Sequence, residues 1–201
     1  MSKLFEQLLE KRGFGGDFLC PKYEDLKDPF LLPDLEKAVS RIKRAAEQGE
    51  KVMIFGDYDA DGVTASTVML EGLKLAGVKE IVVRLPNRFT EGYGVSKKIV
   101  QEAKEQGVGL VITVDCGSNN KEILEELGEE GIEVVVTDHH EILGELPEVV
   151  AVVNPKREDG QGYEELRGLA GVGVAFKVVQ GMVKMGLIRE GQEKWLLDLV
   201  Y

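Results

Sequence analysis

Apolar residues follow two alternating patterns along this chain. Short continuous runs rich in Val and Ile, which are typical of strands buried on both faces, occupy residues 51–55, 80–85, 110–114, 132–138 and 149–154. Longer segments with apolar residues at helical spacing lie between and after these runs, at 62–77, 96–107, 120–131, 169–186 and from 192 onward. This alternation predicts an α/β fold in which helices cover both faces of a mainly parallel sheet.

The first 49 residues show no such strand pattern and are predicted to be partly helical. An amphipathic stretch opens the chain, "MSKLFEQLLEKRG", and a second helix is indicated near Pro33, where a missing N–H costs little. The apolar residues of this second helix repeat at helical spacing up to Gly49: Leu35, Ala38, Val39, Ile42 and Ala45. We therefore expect an N-terminal helical extension, residues 1–49, followed by an α/β domain, residues 50–201.

The composition is that of an ordinary globular protein, since 43% of the 201 residues are hydrophobic and 30% are charged. No apolar run approaches the roughly 18–20 residues that span a bilayer. The N-terminus also lacks the pattern of a signal peptide, so we expect a cytoplasmic protein. The two cysteines, Cys20 and Cys116, form no Cys-x-x-Cys pattern. They could form one bridge, but we expect buried or partly buried free thiols, with Cys116 in a packing role.

The formal net charge of the chain is −11. This value argues against a broad basic surface that would hold a polyanion through counterion release. It leaves chemistry on a phosphate open, because carboxylates can bind divalent cations and those cations can bind phosphate.

Carboxylates and both histidines of the chain follow three of the predicted strands. The carboxyl ends of the strands in an open parallel sheet meet at the edge where ligands bind. The residues that we expect at this edge are Asp57, Asp59 and Asp61 after the first strand, Asp115 after the third, and Asp138, His139 and His140 after the fourth.

Oxygen ligands combined with imidazole suit Mn²⁺ or Mg²⁺ better than Zn²⁺ or Fe²⁺. The carboxylates are numerous enough to hold two ions about 3.5–4 Å apart, as in two-metal phosphoryl-transfer sites. Adjacent histidines after a strand point in different directions, so His139 can bind metal while His140 faces a phosphate. Asp138 can hold one of the two imidazoles in the required tautomer.

Three other interpretations of "GDYDADG" must be weighed. The stretch matches the start of an EF-hand loop, but position twelve, which requires glutamate, is Val68. A phosphatase of the haloacid dehalogenase type carries D-x-D-G-T, whereas Val63 here separates Gly62 from Thr64. A solvated acidic turn is the third possibility, and Asp115 alone could equally be a helix cap.

Two further segments carry different expectations. Arg88 in the loop "PNRFTEGYG" (86–94) could bind a substrate phosphate through two hydrogen bonds, or it could be an ordinary surface arginine. The segment "LAGVGVAFK" is predicted to be a tightly packed helix without chemistry.

Several blocks of the sequence resemble one known family. "GDYDADG", "VDCG" and "TDHH" are similar, in this order, to motifs I, II and III of the DHH phosphoesterase superfamily. "DPFLLPDLEKAV", "PNRFTEGYG", "VVNPKRED" and "LAGVGVAFK" resemble its bacterial branch of single-strand-specific exonucleases. The resemblance extends over nearly the whole chain from about Lys22.

The resemblance implies an enzyme that uses Mn²⁺ or Mg²⁺ to degrade single-stranded DNA from the 5′ end, with roles in recombination and repair. It implies a two-metal mechanism in which Asp115 bridges the ions, Asp59, Asp61 and His139 are ligands, and His140 contacts the scissile phosphate. The residues expected to take part in catalysis are then Asp115, Asp138 and His140.

The resemblance also suggests roles for Asp57 and Arg88. Many members have a histidine four residues before the aspartate that matches Asp59, and this chain has Phe55 there. Asp57 is the residue that could compensate, as a further metal ligand. Arg88 lies in a loop that contacts DNA near its 5′ phosphate in the family.

The chain also departs from the family pattern. It stops at Tyr201, before the place of a fourth motif that supplies another metal-binding aspartate, so we expect an incomplete catalytic domain with weak or no activity of its own. The partners implied are single-stranded DNA, a single-strand-binding protein and a helicase. The alternatives are a phosphodiesterase for short oligonucleotides or cyclic dinucleotides, and a non-catalytic relative that binds DNA or a replication partner.

Overall fold

A computed structural model describes residues 2–92, 94–159 and 164–200, without the side chains of residues 16 and 17. Tyr93 of the loop 86–94 and the terminal Tyr201 lie outside the described residues. The strands are β1 (Lys51–Gly56), β2 (Glu80–Arg84), β3 (Leu110–Val114), β4 (Glu133–Thr137) and β5 (Ala151–Val153). The helices are α1 (Lys3–Lys11), α2 (Gly16–Leu19), α3 (Leu35–Gln48), α4 (Ala60–Leu75), α5 (Lys98–Glu105), α6 (Lys121–Glu129), α7 (Gly171–Lys184) and α8 (Leu197–Val200).

The five strands form one sheet in the order β2-β1-β3-β4-β5, and each strand pairs in parallel with its neighbour. The predicted α/β fold and parallel sheet are therefore confirmed. From β1 the chain moves outward to β2 and then returns to the other side of β1 to form β3. The crevice between β1 and β3 is thus the point where strand order reverses, which is where ligands bind in sheets of this kind.

Side chains alternate across the sheet and form two separate cores. Val52 and Ile54 of β1 face the helices α3, α4 and α7, whereas Met53 and Phe55 face α5 and α6. On the face of the sheet covered by α3, α4 and α7, helices α4 and α7 pack closely against each other. An added Cβ at Gly72 of α4 would lie 2.5 Å from Val179 Cγ2 of α7, so this helix crossing requires glycine.

The two longer N-terminal helices differ sharply in burial. Helix α1 has no buried residue, and Leu4 is 68% exposed. Helix α3, in contrast, ends at Gly49 in a left-handed conformation and buries its predicted apolar positions against α7 and β5. Residues 35–48 therefore belong to the same core as the sheet. Among the described residues, no helix has both the length and the apolar character needed to cross a bilayer.

Truncating a side chain of α3 tests whether this helix is part of the folded core. Ile42 is fully buried, so Ile42→Ala should lower the free energy of unfolding by about 2–5 kcal/mol, through lost burial and the cavity that remains. Leu4→Ala on the exposed helix α1 is the matched control and should change it by less than about 0.5 kcal/mol. Urea denaturation measures both, and equal effects would contradict the packing of α3.

Candidate metal and phosphate site

The structure brings the predicted carboxylates and histidines together at one edge of the sheet. Each group follows a strand directly: Asp57, Asp59 and Asp61 after β1, Asp115 after β3, and Asp138, His139 and His140 after β4. A strand precedes and an apolar helix follows the acidic stretch, which differs from the helix–loop–helix surroundings of an EF-hand.

The turn after β1 is shaped by a helix cap and a glycine. Asp59 is the N-cap of α4, and its Oδ1 accepts a hydrogen bond of 2.9 Å from the Gly62 amide. An added Cβ at Gly62 would lie 2.4 Å from the carbonyl oxygen of Asp57. The sharp turn therefore needs glycine at this position, and it presents the three aspartates at the start of α4.

Asp61 is bound by the N-terminus of α7. The amides of Gly171 and Val172 each donate a hydrogen bond of 2.7 Å to the Asp61 carboxylate, where the helix dipole also favours negative charge. The sequence interpretation gave the segment around α7 no chemistry and missed this contact. Ala170 is the N-cap of α7 and offers no capping side chain; this was the available signal that another group must satisfy the helix N-terminus.

Asp115 lies at the centre of the site. It is 1% exposed and has a φ of 60°, which is uncommon for a residue with a side chain. Burial, opposed by a hydrogen bond from His139, raises the pKa of the Asp115 carboxyl above its ordinary value. An added Cβ at Gly171 would lie 2.4 Å from Asp115 Oδ1, so α7 can approach this carboxylate only through a glycine.

His139 connects the groups that follow β1 and β3. Its Nε2 lies 3.1 Å from Asp115 Oδ1 and 3.5 Å from Asp61 Oδ2. The hydrogen bond with Asp115 raises the pKa of His139 above its ordinary value. The His139 imidazole therefore lies near two carboxylates, Asp115 and Asp61, and both raise the pKa of the ring.

Asp138 holds His140 and not His139, a choice that the sequence left open. The Nδ1 of His140 lies 2.7 Å from Asp138 Oδ1, and Asp138 Oδ2 accepts a hydrogen bond of 2.9 Å from the Ser118 amide. Burial alone would raise the pKa of Asp138, but the bonds from His140 and Ser118 outweigh it and lower that pKa. Because ionised Asp138 can only accept, Nδ1 carries a hydrogen, and the pKa of His140 is raised.

Two groups of side chains offer ligand atoms close enough together to hold an ion. Asp57, Asp59 and Asp115 form one group, and Asp115, His139 and His140 form the other; within each group the ligand atoms lie within 4.8 Å of one another. Asp57 is 2% exposed, and its Oδ1 has no hydrogen-bond partner among the described residues. Since an unpaired buried carboxylate is costly, these oxygen and nitrogen donors fit a divalent cation such as Mn²⁺ or Mg²⁺.

The remaining predicted positions lie around this centre. Arg88 is exposed, and its guanidinium carbon lies 5.1 Å from the ring centre of Tyr58. Tyr58 is the residue between Asp57 and Asp59 in the sequence. Cys20 and Cys116 are both free thiols, as predicted, and Cys116 is buried. The expected burial of Cys20 is wrong, because this residue lies at the end of the short helix α2 and is exposed. Burial raises the pKa of the Cys116 thiol, which suits a packing residue.

The fold and site define the class of protein. The sequence pattern of the DHH family, N-terminal domain, matches residues 51–201, and the chain belongs to this family. Among its relatives, the single-stranded-DNA-specific exonuclease RecJ of Bacillus subtilis is 43% identical over 188 residues, which cover 91% of this chain and 24% of that protein. The chain therefore spans about a quarter of the length of this relative.

Two crystal structures of RecJ are similar in fold. Exonuclease RecJ bound to manganese has a TM-score of 0.71 and 34% identity, over 82% of this chain and 41% of that chain. RecJ from Thermus thermophilus in complex with Mn²⁺ has a TM-score of 0.75 and 29% identity, over 96% of this chain and 26% of that chain.

Replacing one glycine tests the contact between α7 and Asp115. Gly171→Ala should lower the free energy of unfolding by about 1–3 kcal/mol, because the new methyl group overlaps a buried carboxylate. Gly128→Ala in α6 is the matched control: nothing lies within 4 Å of its added Cβ, and the change should be neutral or stabilising by up to about 1 kcal/mol. Urea denaturation without divalent ions decides, and a Gly171→Ala chain as stable as the control would show that the close approach is wrong.

Proposed function

We propose that this chain is part of a metal-dependent exonuclease that degrades single-stranded DNA from its 5′ end, in recombination and repair. The observation that carries the proposal is the position of Asp115, which belongs to both groups of ligand atoms. A carboxylate shared in this way is what a pair of bridged ions requires. The similarity to RecJ supports the choice of substrate.

In this proposal Asp57, Asp59, Asp61, Asp115 and His139 hold two Mn²⁺ or Mg²⁺ ions. When bound, such ions supply a water of lowered pKa and stabilise the charge of an in-line displacement at phosphorus. Other parts of the chain hold these ligand side chains in place. The Gly62 amide orients Asp59, and the amides of Gly171 and Val172 orient Asp61. Asp115 is held by its burial.

His140 and Asp138 act on the phosphate in this proposal. Asp138 accepts from Nδ1 of His140, and the protonated ring can also donate from Nε2 to a phosphate oxygen. The raised pKa of His140 favours the protonated ring, which pairs well with an anion. Arg88, beside Tyr58 near the acidic turn, would bind the 5′ phosphate of the strand.

The proposal also covers organisation and partners. The family match begins at residue 51, which supports a catalytic unit at 50–201 after a helical extension at 1–49. Single-stranded DNA is the proposed substrate, with a single-strand-binding protein and a helicase as partners in the cytoplasm. Because the chain carries a net charge of −11, its own grip on DNA would depend on the bound ions more than on a basic surface.

Calorimetric titration with Mn²⁺ tests the metal site directly. The wild-type chain should bind Mn²⁺, and the ion should raise the free energy of unfolding by about 2.7 kcal/mol at a free concentration 100 times the Kd. Asp115→Asn should weaken binding by more than about 100-fold, since even residues that only support ligands cost 10–100-fold. Asp198→Asn, an exposed change of equal charge in α8, is the control and should bind as the wild type does.

A nuclease assay tests the reaction and separates the alternatives. We would compare the chain itself with a chimera in which it replaces the matching segment of Bacillus subtilis RecJ, using Mn²⁺ and a 5′-labelled single strand. The chimera should release nucleotides from the 5′ end, and Asp115→Ala should reduce its rate by more than about 100-fold, whereas Asp198→Asn should not.

Three other outcomes would count against the proposal. A preference for dinucleotides or cyclic dinucleotides over long single strands would favour the oligonucleotide phosphodiesterase. DNA binding without hydrolysis in an otherwise folded chimera would favour a non-catalytic relative. Hydrolysis unaffected by Asp115→Ala would mean that the site is elsewhere.

A further inference from the structure

Asn154 is a fully buried polar residue directly after β5, at the same edge of the sheet as the site. Its side chain makes three hydrogen bonds. The amide nitrogen Nδ2 donates to Ser118 Oγ at 2.8 Å and to the His140 carbonyl at 3.0 Å, while Oδ1 accepts from the Lys156 amide at 2.8 Å. Both donors of the side chain therefore reach loops that carry site residues.

The first of these loops follows β3. Ser118 is itself 1% exposed, and its backbone amide donates to Asp138 Oδ2 at 2.9 Å. Asn154 thus fixes the serine that fixes one oxygen of Asp138. The other oxygen, Oδ1, accepts hydrogen bonds from the His140 ring nitrogen Nδ1 and from the backbone amides of His139 and His140.

The second loop follows β4 and contains His140. Asn154 holds the carbonyl of His140, and the end of β5 holds the residue before the histidines, because the Asp138 amide donates to the Val153 carbonyl at 3.0 Å. The backbone on both sides of the Asp138–His140 pair is therefore fixed to β5 and Asn154. Asn154 touches neither the imidazole ring nor the Asp138 carboxylate in the contacts described above.

We propose that Asn154 is a positioning residue for the Asp138–His140 pair, acting through Ser118 and the His140 carbonyl. A hydrogen bond such as Nδ1–H to a carboxylate sets the tautomer and direction of an imidazole only while the carboxylate is itself held. Asn154 supplies this support from a part of the sheet that carries no candidate ligand. The catalytic importance of Asn154 rests on the proposed function, whereas its structural effect on His140 does not.

The chain offers a favourable experiment because His139 and His140 are its only two histidines. The imidazole nitrogens can be followed by ¹H–¹⁵N NMR in the metal-free chain, at a pH high enough to deprotonate the rings. The wild type should show His140 with its hydrogen on Nδ1. In Asn154→Ala, the His140 ring should no longer keep its hydrogen on Nδ1 alone, so its nitrogen signals should shift or average. The Ser118 amide should exchange its hydrogen faster than in the wild type.

Two further variants keep the test decisive. Ser118→Ala removes only the hydroxyl that accepts from Asn154, and it should shift the His140 signal in the same direction by a smaller amount. This variant keeps the proposal testable if Asn154→Ala does not fold. Asn119→Ala is the matched control. Asn119 is exposed and also ties the two loops together, through the Glu141 carbonyl at 2.9 Å and the Leu143 amide at 2.8 Å, and its loss should leave the His140 ring unchanged.

The result that would overturn the proposal is a wild-type His140 spectrum in folded Asn154→Ala or Ser118→Ala, or an equal change in Asn119→Ala. In the RecJ chimera, Asn154→Ala should lower kcat by about 10–100-fold, the range seen for supporting groups, with KM unchanged. If the NMR effect appears but neither wild type nor variant hydrolyses DNA, the proposed function fails and the positioning role stands. If the chimera hydrolyses DNA but the His140 signal of Asn154→Ala does not move, the proposed function stands and the positioning role of Asn154 fails.

Discussion

The site depends on one buried carboxylate, that of Asp115. Its backbone adopts a left-handed conformation at the end of β3, and its side chain is almost completely removed from solvent. Burial of a charge without a cation is unfavourable, and the chain relieves the cost only in part, through His139. Two groups of ligand atoms share this carboxylate, so a divalent cation bound there would compensate the cost of burying its charge.

Helix α7 joins this site to the hydrophobic core. Its N-terminal amides bind Asp61 and its first glycine lies against Asp115, while further along the same helix Gly181 packs against Leu35 and Val39 of α3. Because the helix is rigid and its neighbours are closely packed, a substitution that shifts α7 in the core would also shift its N-terminus against the carboxylates. A segment that the sequence predicts to be a packing helix therefore also contacts two residues of the candidate site.

Support around the two histidines is unequal. His139 contacts carboxylates that are themselves candidate ligands, whereas His140 is held by Asp138. The other oxygen of Asp138 accepts from the Ser118 amide in the loop after β3, and its backbone amide donates to Val153 of β5. The neighbouring rings, with centres 4.5 Å apart, thus have different partners and suit different tasks. Asp138 and, in the positioning role proposed above, Asn154 support the His140 ring from outside the group of carboxylates that contact His139.

The strands, the parallel sheet and the strand ends at which carboxylates and histidines lie could all be predicted from the sequence, because strand length and apolar patterning are local properties. The boundaries of all five strands agree within two residues; β5 differs most from its apolar run, because only residues 151–153 pair with β4. Three contacts became visible only in the folded chain: Asp138 holds His140, α7 binds Asp61, and Asn154 links two loops. The contacts of α7 and the loop contacts of Asn154 join residues 14 to 111 positions apart, and hydrogen-bond partners at such separations are set by the packing of whole elements, which leaves no periodic signal in the chain. Asp138 and His140 are only 2 positions apart in the sequence, and the loop conformation after β4 selects this pair.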